Sequence, residues 1–87
     1  MDFDKWSFEK RKSFLKSLRH KNDDQIYYAL KAEGIDIFKN DSGDFYGMTP
    51  SGVQYYFALK PEKAPLTKAQ RSAKTKYMHR YILIVRD

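Results

Sequence analysis

Seven lysine and arginine side chains, in two groups far apart in the chain, are the residues best suited to a chemical role. Lys12, Lys16 and Arg19 fall on one strip of a predicted first helix, because residues three and four apart share a helix face. The second group spreads over the polar side of a predicted helix near the C-terminus and comprises Lys68, Arg71, Lys74 and Lys76. Ammonium and guanidinium groups bind phosphate, so the pattern predicts a small regulatory module that binds nucleic acid, DNA rather than RNA.

Tyrosine side chains could add base stacking to this electrostatic contact. The candidates are Tyr27, Tyr28 and Tyr46. The chain holds seven tyrosines in 87 residues, and a chain of this length builds only a thin core. The same side chains therefore also suit core packing.

Catalytic and metal-binding patterns are absent from the sequence. His20 and His79 lie far apart without a carboxylate cluster at metal-ligand spacing, and there is no cysteine. No glycine-rich phosphate loop is present either, since residues 40–43 (Asn-Asp-Ser-Gly) are typical of a hairpin turn. We therefore expect no enzymatic activity, no metal ion and no cofactor.

The net charge of +6 is unevenly distributed. Residues 1–20 carry +3, residues 21–60 carry −2 and residues 61–87 carry +5. Basic ends around an acidic middle favour a polyanionic partner. A solvated surface that keeps a small protein soluble would give the same composition.

A protein-interaction module is the alternative function. Tyr55, Tyr56 and Phe57, together with an apolar terminal strand, could form an aromatic docking surface. Such a module would resemble a phage- or plasmid-type accessory protein that docks on or inhibits a host protein. If the terminal strand lies at the edge of the sheet, it would also favour a homodimer.

Capping residues and hydrophobic periodicity predict the elements that must position these side chains. Asn22 with Gln25 forms a capping box, Thr67 caps a later helix, and Thr49-Pro50 begins one between them. The predicted helices span about 4–19, 23–33, 50–60 and 67–76, and the strands about 35–39, 44–48 and 77–85. The expected fold is a single α+β domain of about four helices with a three-stranded antiparallel sheet.

The segment Met48–Tyr56 (Met-Thr-Pro-Ser-Gly-Val-Gln-Tyr-Tyr) resembles the junction by which winged-helix proteins leave the wing for a closing helix. The preceding hairpin, residues 35–48, would be the wing. This resemblance implies a winged-helix-like domain active in transcription regulation. Asp23 and Asp24 stand where that family's recognition helix meets DNA, so its DNA-contacting residues are not carried over to this chain.

The N-terminal residues lack the basic and apolar pattern of a signal peptide, and no apolar run approaches the length of a membrane span. We expect a cytoplasmic protein without a membrane partner.

Overall fold

Four strands form one mixed sheet with helices on both faces, in a computed structural model that describes residues 2–87. Two short 3-10 turns are also present, at Phe3–Lys5 before the first helix and at Met78–Arg80 between the last helix and the last strand. The helices and strands are α1 (Phe8–Ser17), α2 (Asp23–Ala32), β1 (Asp36–Lys39), β2 (Phe45–Met48), β3 (Gln54–Pro61), α3 (Lys68–Tyr77) and β4 (Tyr81–Arg86).

The strand order is β1-β2-β3-β4, so sheet order follows chain order. β1 with β2, and β2 with β3, are antiparallel pairs, whereas β4 runs parallel to β3. A parallel pair needs a crossover, and α3 provides it. The predicted fold of four helices with a three-stranded antiparallel sheet is therefore wrong, because residues 2–87 form three α-helices and a four-stranded mixed sheet.

The largest error concerns residues 50–60, predicted as a helix and found mostly in β3. Tyr55 and Phe57 point to one face of the sheet, and Tyr56 and Ala58 to the other, and all four are buried. An apolar run covered on both faces has no polar side from which its period can be read. Its three consecutive aromatic residues, Tyr55, Tyr56 and Phe57, favour a strand.

Thr49–Gly52 is a hairpin turn between β2 and β3, where a helix start was predicted. The Gly52 N–H donates to the Thr49 carbonyl at 2.9 Å, and the Thr49 N–H donates to the Val53 carbonyl at 3.0 Å. Gly52 has φ +87°, a left-handed conformation that glycine adopts without a steric penalty. The segment that resembled a wing-to-helix junction thus connects two strands, and the winged-helix-like fold is wrong.

Other local predictions hold or shift slightly. Both predicted helix caps are present, as capping boxes at Asn22 with Gln25 and at Thr67 with Gln70. Residues 40–43 form the predicted hairpin turn. The terminal strand begins at Tyr81, later than predicted, and pairs with β3 instead of the first hairpin.

The sheet separates two packed layers. On its α1/α2 face, Leu18, Ile26 and Leu30 pack with Tyr55 and Phe57 in the larger core. On the opposite face, called the α3 face below, a smaller core holds β3 against α3; its members are Tyr56, Ala58, Ala73 and Tyr77. Each helix layer thereby presents its polar residues on a different side of the molecule.

The carboxyl group of Asp4 ties the N-terminal turn to the β2–β3 turn. It accepts hydrogen bonds from Thr49 Oγ1 at 2.8 Å, Ser51 Oγ at 2.5 Å and Tyr55 Oη at 2.5 Å. The Arg11 guanidinium donates to the backbone carbonyl of Asp4 at 3.3 Å and to Tyr55 Oη at 3.0 Å. Burial raises the pKa of Asp4, but the three hydroxyl donors and the Arg11 charge outweigh burial, so its pKa lies below the usual 3.8.

Asp4→Asn should lower the free energy of unfolding at neutral pH by about 1 kcal/mol, a value discounted for partial exposure of the site. Because the pKa is lowered in the folded state, the carboxylate contributes fully above its unfolded-state pKa and loses its contribution as the pH falls through the folded-state value. In urea titrations, the difference in free energy of unfolding between wild type and variant should therefore become smaller as the pH falls. Asp41→Asn, an exposed hairpin position, is the control and should show almost no gap. A constant gap for Asp4→Asn would contradict this account.

Gly47→Ala should destabilise the fold by about 1–3 kcal/mol, as overpacking does in a well-packed core. A Cβ at Gly47 would lie 2.6 Å from Phe57 Cε2 and 2.7 Å from Ile35 Cγ2. Chemical denaturation would measure the cost in the wild type and in a Phe57→Leu background, where the nearer ring is gone. The cost should be smaller in that background, and an equal cost in both would rule out the ring clash.

Candidate functional site

The α3 face of the sheet is covered over only part of its width. α3 lies mainly over β3 and β4. On the same face of β1 and β2, Phe38 is 57% exposed and Met48 is 44% exposed. Large apolar side chains that no helix covers are the clearest sign of a binding surface in this fold.

A groove of about 620 Å³ runs between α3 and the first hairpin. Turn residues 40–42 form one wall, Tyr46 and Tyr56 form the floor, and α3 forms the other wall. The α3 wall is built from small side chains with one cation, namely Ala69, Ser72, Ala73 and Lys76, together with Tyr77. The small side chains keep the groove open, and its volume falls within the usual range of small-molecule sites.

An aromatic row crosses the sheet on the groove side. The strand register places Phe38 opposite Tyr46, Tyr46 opposite Tyr56, and Tyr56 opposite Tyr81, so the four rings share one face. The Tyr46 and Tyr56 ring centroids are 5.4 Å apart, and those of Tyr56 and Tyr81 are 5.8 Å apart and stacked. Tyr77 closes the row from above, 5.5 Å from Tyr56. The row is buried beneath α3 and emerges into solvent at Phe38.

The carboxyl group of Asp44 fixes the two sides of the groove relative to each other. Asp44 is 2% exposed and accepts from Tyr56 Oη at 2.6 Å, the Leu59 N–H at 2.9 Å and Gln70 Nε2 at 3.0 Å. These donors belong to β3 and α3, whereas Asp44 ends the first hairpin turn. Asn40 Oδ1 holds that turn by accepting from the Asp44 N–H at 3.0 Å.

Three tyrosines in or beside the groove have a raised pKa. Burial, followed by the hydrogen bond to Asp44, raises the pKa of Tyr56 to about 12. Burial also raises the pKa of Tyr77 and of Tyr81. These phenols can therefore pack, stack and donate hydrogen bonds, but they do not supply a base or a nucleophile there.

The seven predicted cations do not converge on one surface. α1 packs on one face of the sheet and α3 on the other, so the Lys12, Lys16 and Arg19 group is separated from the α3 group. Arg19 is also paired with Glu62 at 3.3 Å and with Asp87 at 3.0 Å. The seven cations predicted to bind nucleic acid therefore do not form a single continuous basic patch.

The α3 cations remain together and exposed, on the same side of the sheet as the groove. Lys76 lines the groove, with its Nζ 5.7 Å from the Tyr77 ring centroid. Arg80 lies at the same distance from that ring and was missed by the sequence analysis, although it follows Tyr77 by three residues. Helical spacing does not predict this contact, because α3 ends at Tyr77 and Arg80 lies in the 3-10 turn Met78–Arg80.

Only one of the three predicted stacking tyrosines lines the groove. Tyr46 does, whereas Tyr27 and Tyr28 belong to α2 on the other side of the sheet, with ring centroids 5.2 Å apart. The aromatic docking surface proposed for a protein partner is not exposed, because Tyr55, Tyr56 and Phe57 are all buried. Phe38, the most accessible ring of the row, was not predicted, because its role follows from strand register.

β4 is an edge strand, as the protein-interaction alternative required. It pairs with β3 on one side, and no strand of residues 2–87 pairs with its other side. Its Leu83 side chain is partly exposed. The outer backbone groups of this strand are available to another chain.

Two further classes of site were considered for the part of the chain that the structure describes. No group of three or more His, Asp or Glu side chains within residues 2–87 could hold a metal ion. Over the same residues, none of the helices has the length and apolar character needed to cross a membrane. Comparison of the chain with protein-family models, with curated proteins and with solved structures gave no match.

Proposed function

We propose that the protein is a non-catalytic module that binds single-stranded nucleic acid along the groove and the exposed end of the aromatic row. The observation that supports this most directly is the position of the row. It emerges at Phe38 on the same side of the sheet as the α3 cations. Stacking platforms beside cationic side chains are the usual components of single-strand recognition.

The two kinds of contact have separate roles in this mechanism. Unstacked bases would lie on Phe38 and Tyr46, and each stacked base contributes about 1–3 kcal/mol. The cations of α3 would hold the phosphates, which sets the strand's path without reading its sequence. Neither contact depends on the 2′-hydroxyl group, so single-stranded DNA and single-stranded RNA are both ligands to test.

This surface suits a single strand better than a duplex. Bases inside a duplex are stacked on one another and cannot lie on a protein ring. The cations that a duplex groove would need are divided between opposite faces of the sheet. The proposal therefore keeps nucleic acid as the ligand but relies on the α3 cations, without the Lys12, Lys16 and Arg19 group on the other face of the sheet.

Fluorescence anisotropy with a labelled oligothymidylate should show binding that weakens steeply with salt. Four phosphate contacts would give a slope of about −3 in log affinity against log salt. Phe38→Ser should weaken binding by about tenfold, the loss of one stacked base, and Lys76→Gln should reduce the slope by about 0.7.

Matched variants on the other side of the sheet provide the control. Tyr28→Ser and Lys16→Gln remove an exposed ring and an exposed cation from the α1/α2 side, and they should leave affinity and salt slope nearly unchanged. If the variants on both sides of the sheet lost affinity equally, binding would depend on the net charge of the protein and not on the groove. Absence of binding at low salt would refute the proposal.

A protein partner is the second candidate function, and the open edge of β4 favours it. An extended segment could add to that edge as a further strand.

A homodimer formed through the β4 edge is less favourable than binding of a different chain. In an antiparallel pair with a two-fold axis at Leu83, Arg80 would face Arg86 of the second copy, and opposed like charges destabilise a sheet. A partner strand with an acidic residue beside Arg80 would fit this edge better, since Arg86 is already paired with Asp23.

A pull-down from cell extract, with and without nuclease, separates the two candidate functions. Capture of a protein that survives nuclease should be reduced by Leu83→Asp and less so by Leu83→Lys, because an acidic partner repels the first and attracts the second. Capture that disappears with nuclease would assign the interaction to nucleic acid. Capture unaffected by either variant would place the interface away from β4.

A further inference from the structure

Building on the proposed single-strand function, we infer that the groove selects guanine from the bases of the strand. The inference starts from a carboxylate in a site that otherwise suits an anionic strand. Asp41 lines the groove and is exposed at the tip of the first hairpin. A carboxylate there repels phosphate, so it is better suited to contact a base than the backbone.

Asp41 is the acceptor in the turn that is available to a ligand. Its neighbour Asn40 is occupied, since its Oδ1 accepts from the Ser42 N–H at 3.0 Å and from Ser42 Oγ at 2.7 Å. Asp44 is buried beneath the turn and already accepts from three donors. No hydrogen bond or ion pair within residues 2–87 involves the Asp41 side chain. The Asp41 carboxylate, on an exposed residue that lines the groove, is therefore available to a ligand.

Guanine is the base whose Watson–Crick edge matches a free carboxylate. It presents two adjacent donors, N1–H and the N2 amino group, which the two oxygens of one carboxylate can accept together. Adenine and cytosine present one donor beside an acceptor, and thymine or uracil presents one donor between two acceptors. Each of these acceptors would face the negative charge of Asp41 and weaken binding.

The opposite wall of the groove supplies the complementary charge. Lys76 stands on α3, across the groove from the hairpin turn. Guanine carries the acceptors O6 and N7 on the edge away from its N2 amino group, whereas adenine carries an amino group in place of O6. A guanine whose N1–H and N2 amino group meet Asp41 would offer O6 and N7 to Lys76, whereas adenine keeps N7 but replaces O6 with an amino group that opposes the ammonium.

The floor and the α3 wall leave room for a purine ring. Tyr46 is half-buried at the floor and offers an aromatic surface, while Ala69, Ser72 and Ala73 project little into the space. The Tyr56 hydroxyl beneath the floor keeps its proton, because burial and its bond to Asp44 raise its pKa to about 12. The charged side chains of the groove, Asp41 and Lys76, stand on its walls.

The test uses oligothymidylates that carry one central guanine, adenine, cytosine or hypoxanthine, with affinity measured by anisotropy. Wild type should bind the guanine strand about tenfold more tightly than the adenine strand, the value of one bidentate contact. Hypoxanthine lacks the N2 amino group and should lose most of that preference. Asp41→Asn keeps a residue that suits the turn but removes the paired acceptors, and it should abolish the preference. Asp24→Asn, the same charge change at an exposed site on α2, should retain it.

Chemical-shift mapping with free guanosine and adenosine monophosphates separates this inference from the proposed function. Guanosine monophosphate should shift the amide signals of Ser42 and Lys76, and the adenosine compound should not. If oligothymidylate binds with the expected salt dependence but the central base makes no difference, single-strand binding stands and guanine selection is refuted. If the guanine mononucleotide shifts these amides while no strand binds, guanine selection stands and the proposed function is refuted. Equal preference in Asp41→Asn and wild type would also overturn the inference.

Discussion

The buried carboxyl group of Asp44 is the contact on which the rest of the architecture depends. A polar group at such depth is tolerated only when its hydrogen bonds are satisfied, and its donors come from the β3 backbone, a β3 tyrosine and the α3 glutamine. Gln70 completes the link by donating to the Leu59 carbonyl at 2.9 Å. One side chain thus fixes the distance between the first hairpin and α3. The groove between them exists because this distance is set by hydrogen bonds, and small side chains on α3 do not fill it.

The separation of layers by the sheet decides how the charges act. α1 and α3 are both basic, yet they lie on opposite faces, so their fields do not add at one surface. Arg19 is held by Glu62 and Asp87, which makes it part of the link between α1 and the ends of β3 and β4. Within residues 2–87 no carboxylate pairs with an α3 cation. Lys76 contacts the Tyr77 ring, as does Arg80 of the following 3-10 turn, which also donates to the Gln54 carbonyl at 3.4 Å. Position in the fold, more than the number of charges, therefore distinguishes a structural cation from one available to a ligand.

The features that were predicted correctly from the sequence are those that depend on residues close together in the chain. The capping boxes at Asn22 and Thr67 and the first hairpin turn are local patterns, and each is present in the structure. β3 was missed because both of its faces are apolar and carry no period. The aromatic row could not be predicted, since it joins rings from four strands and depends on register. Of the predicted contact residues, Lys76 and Tyr46 line the groove, whereas Phe38 and Asp41 were not predicted, because their place beside α3 depends on how the hairpin packs.

The parallel pairing of β4 determines the order in which the molecule can be assembled. β1, β2 and β3 follow one another through two short turns, so their contacts are local, whereas β4 must wait for α3 to cross the sheet. The hairpin wall of the groove belongs to the three antiparallel strands, and the other wall belongs to α3. If the three strands formed first, Tyr46 and Tyr56 would be exposed until α3 packed over them. A ligand bound between the two walls would stabilise the packing of α3, and with it β4, against the other three strands. Strand β4 would be held more firmly by that ligand, although none of its residues lines the groove.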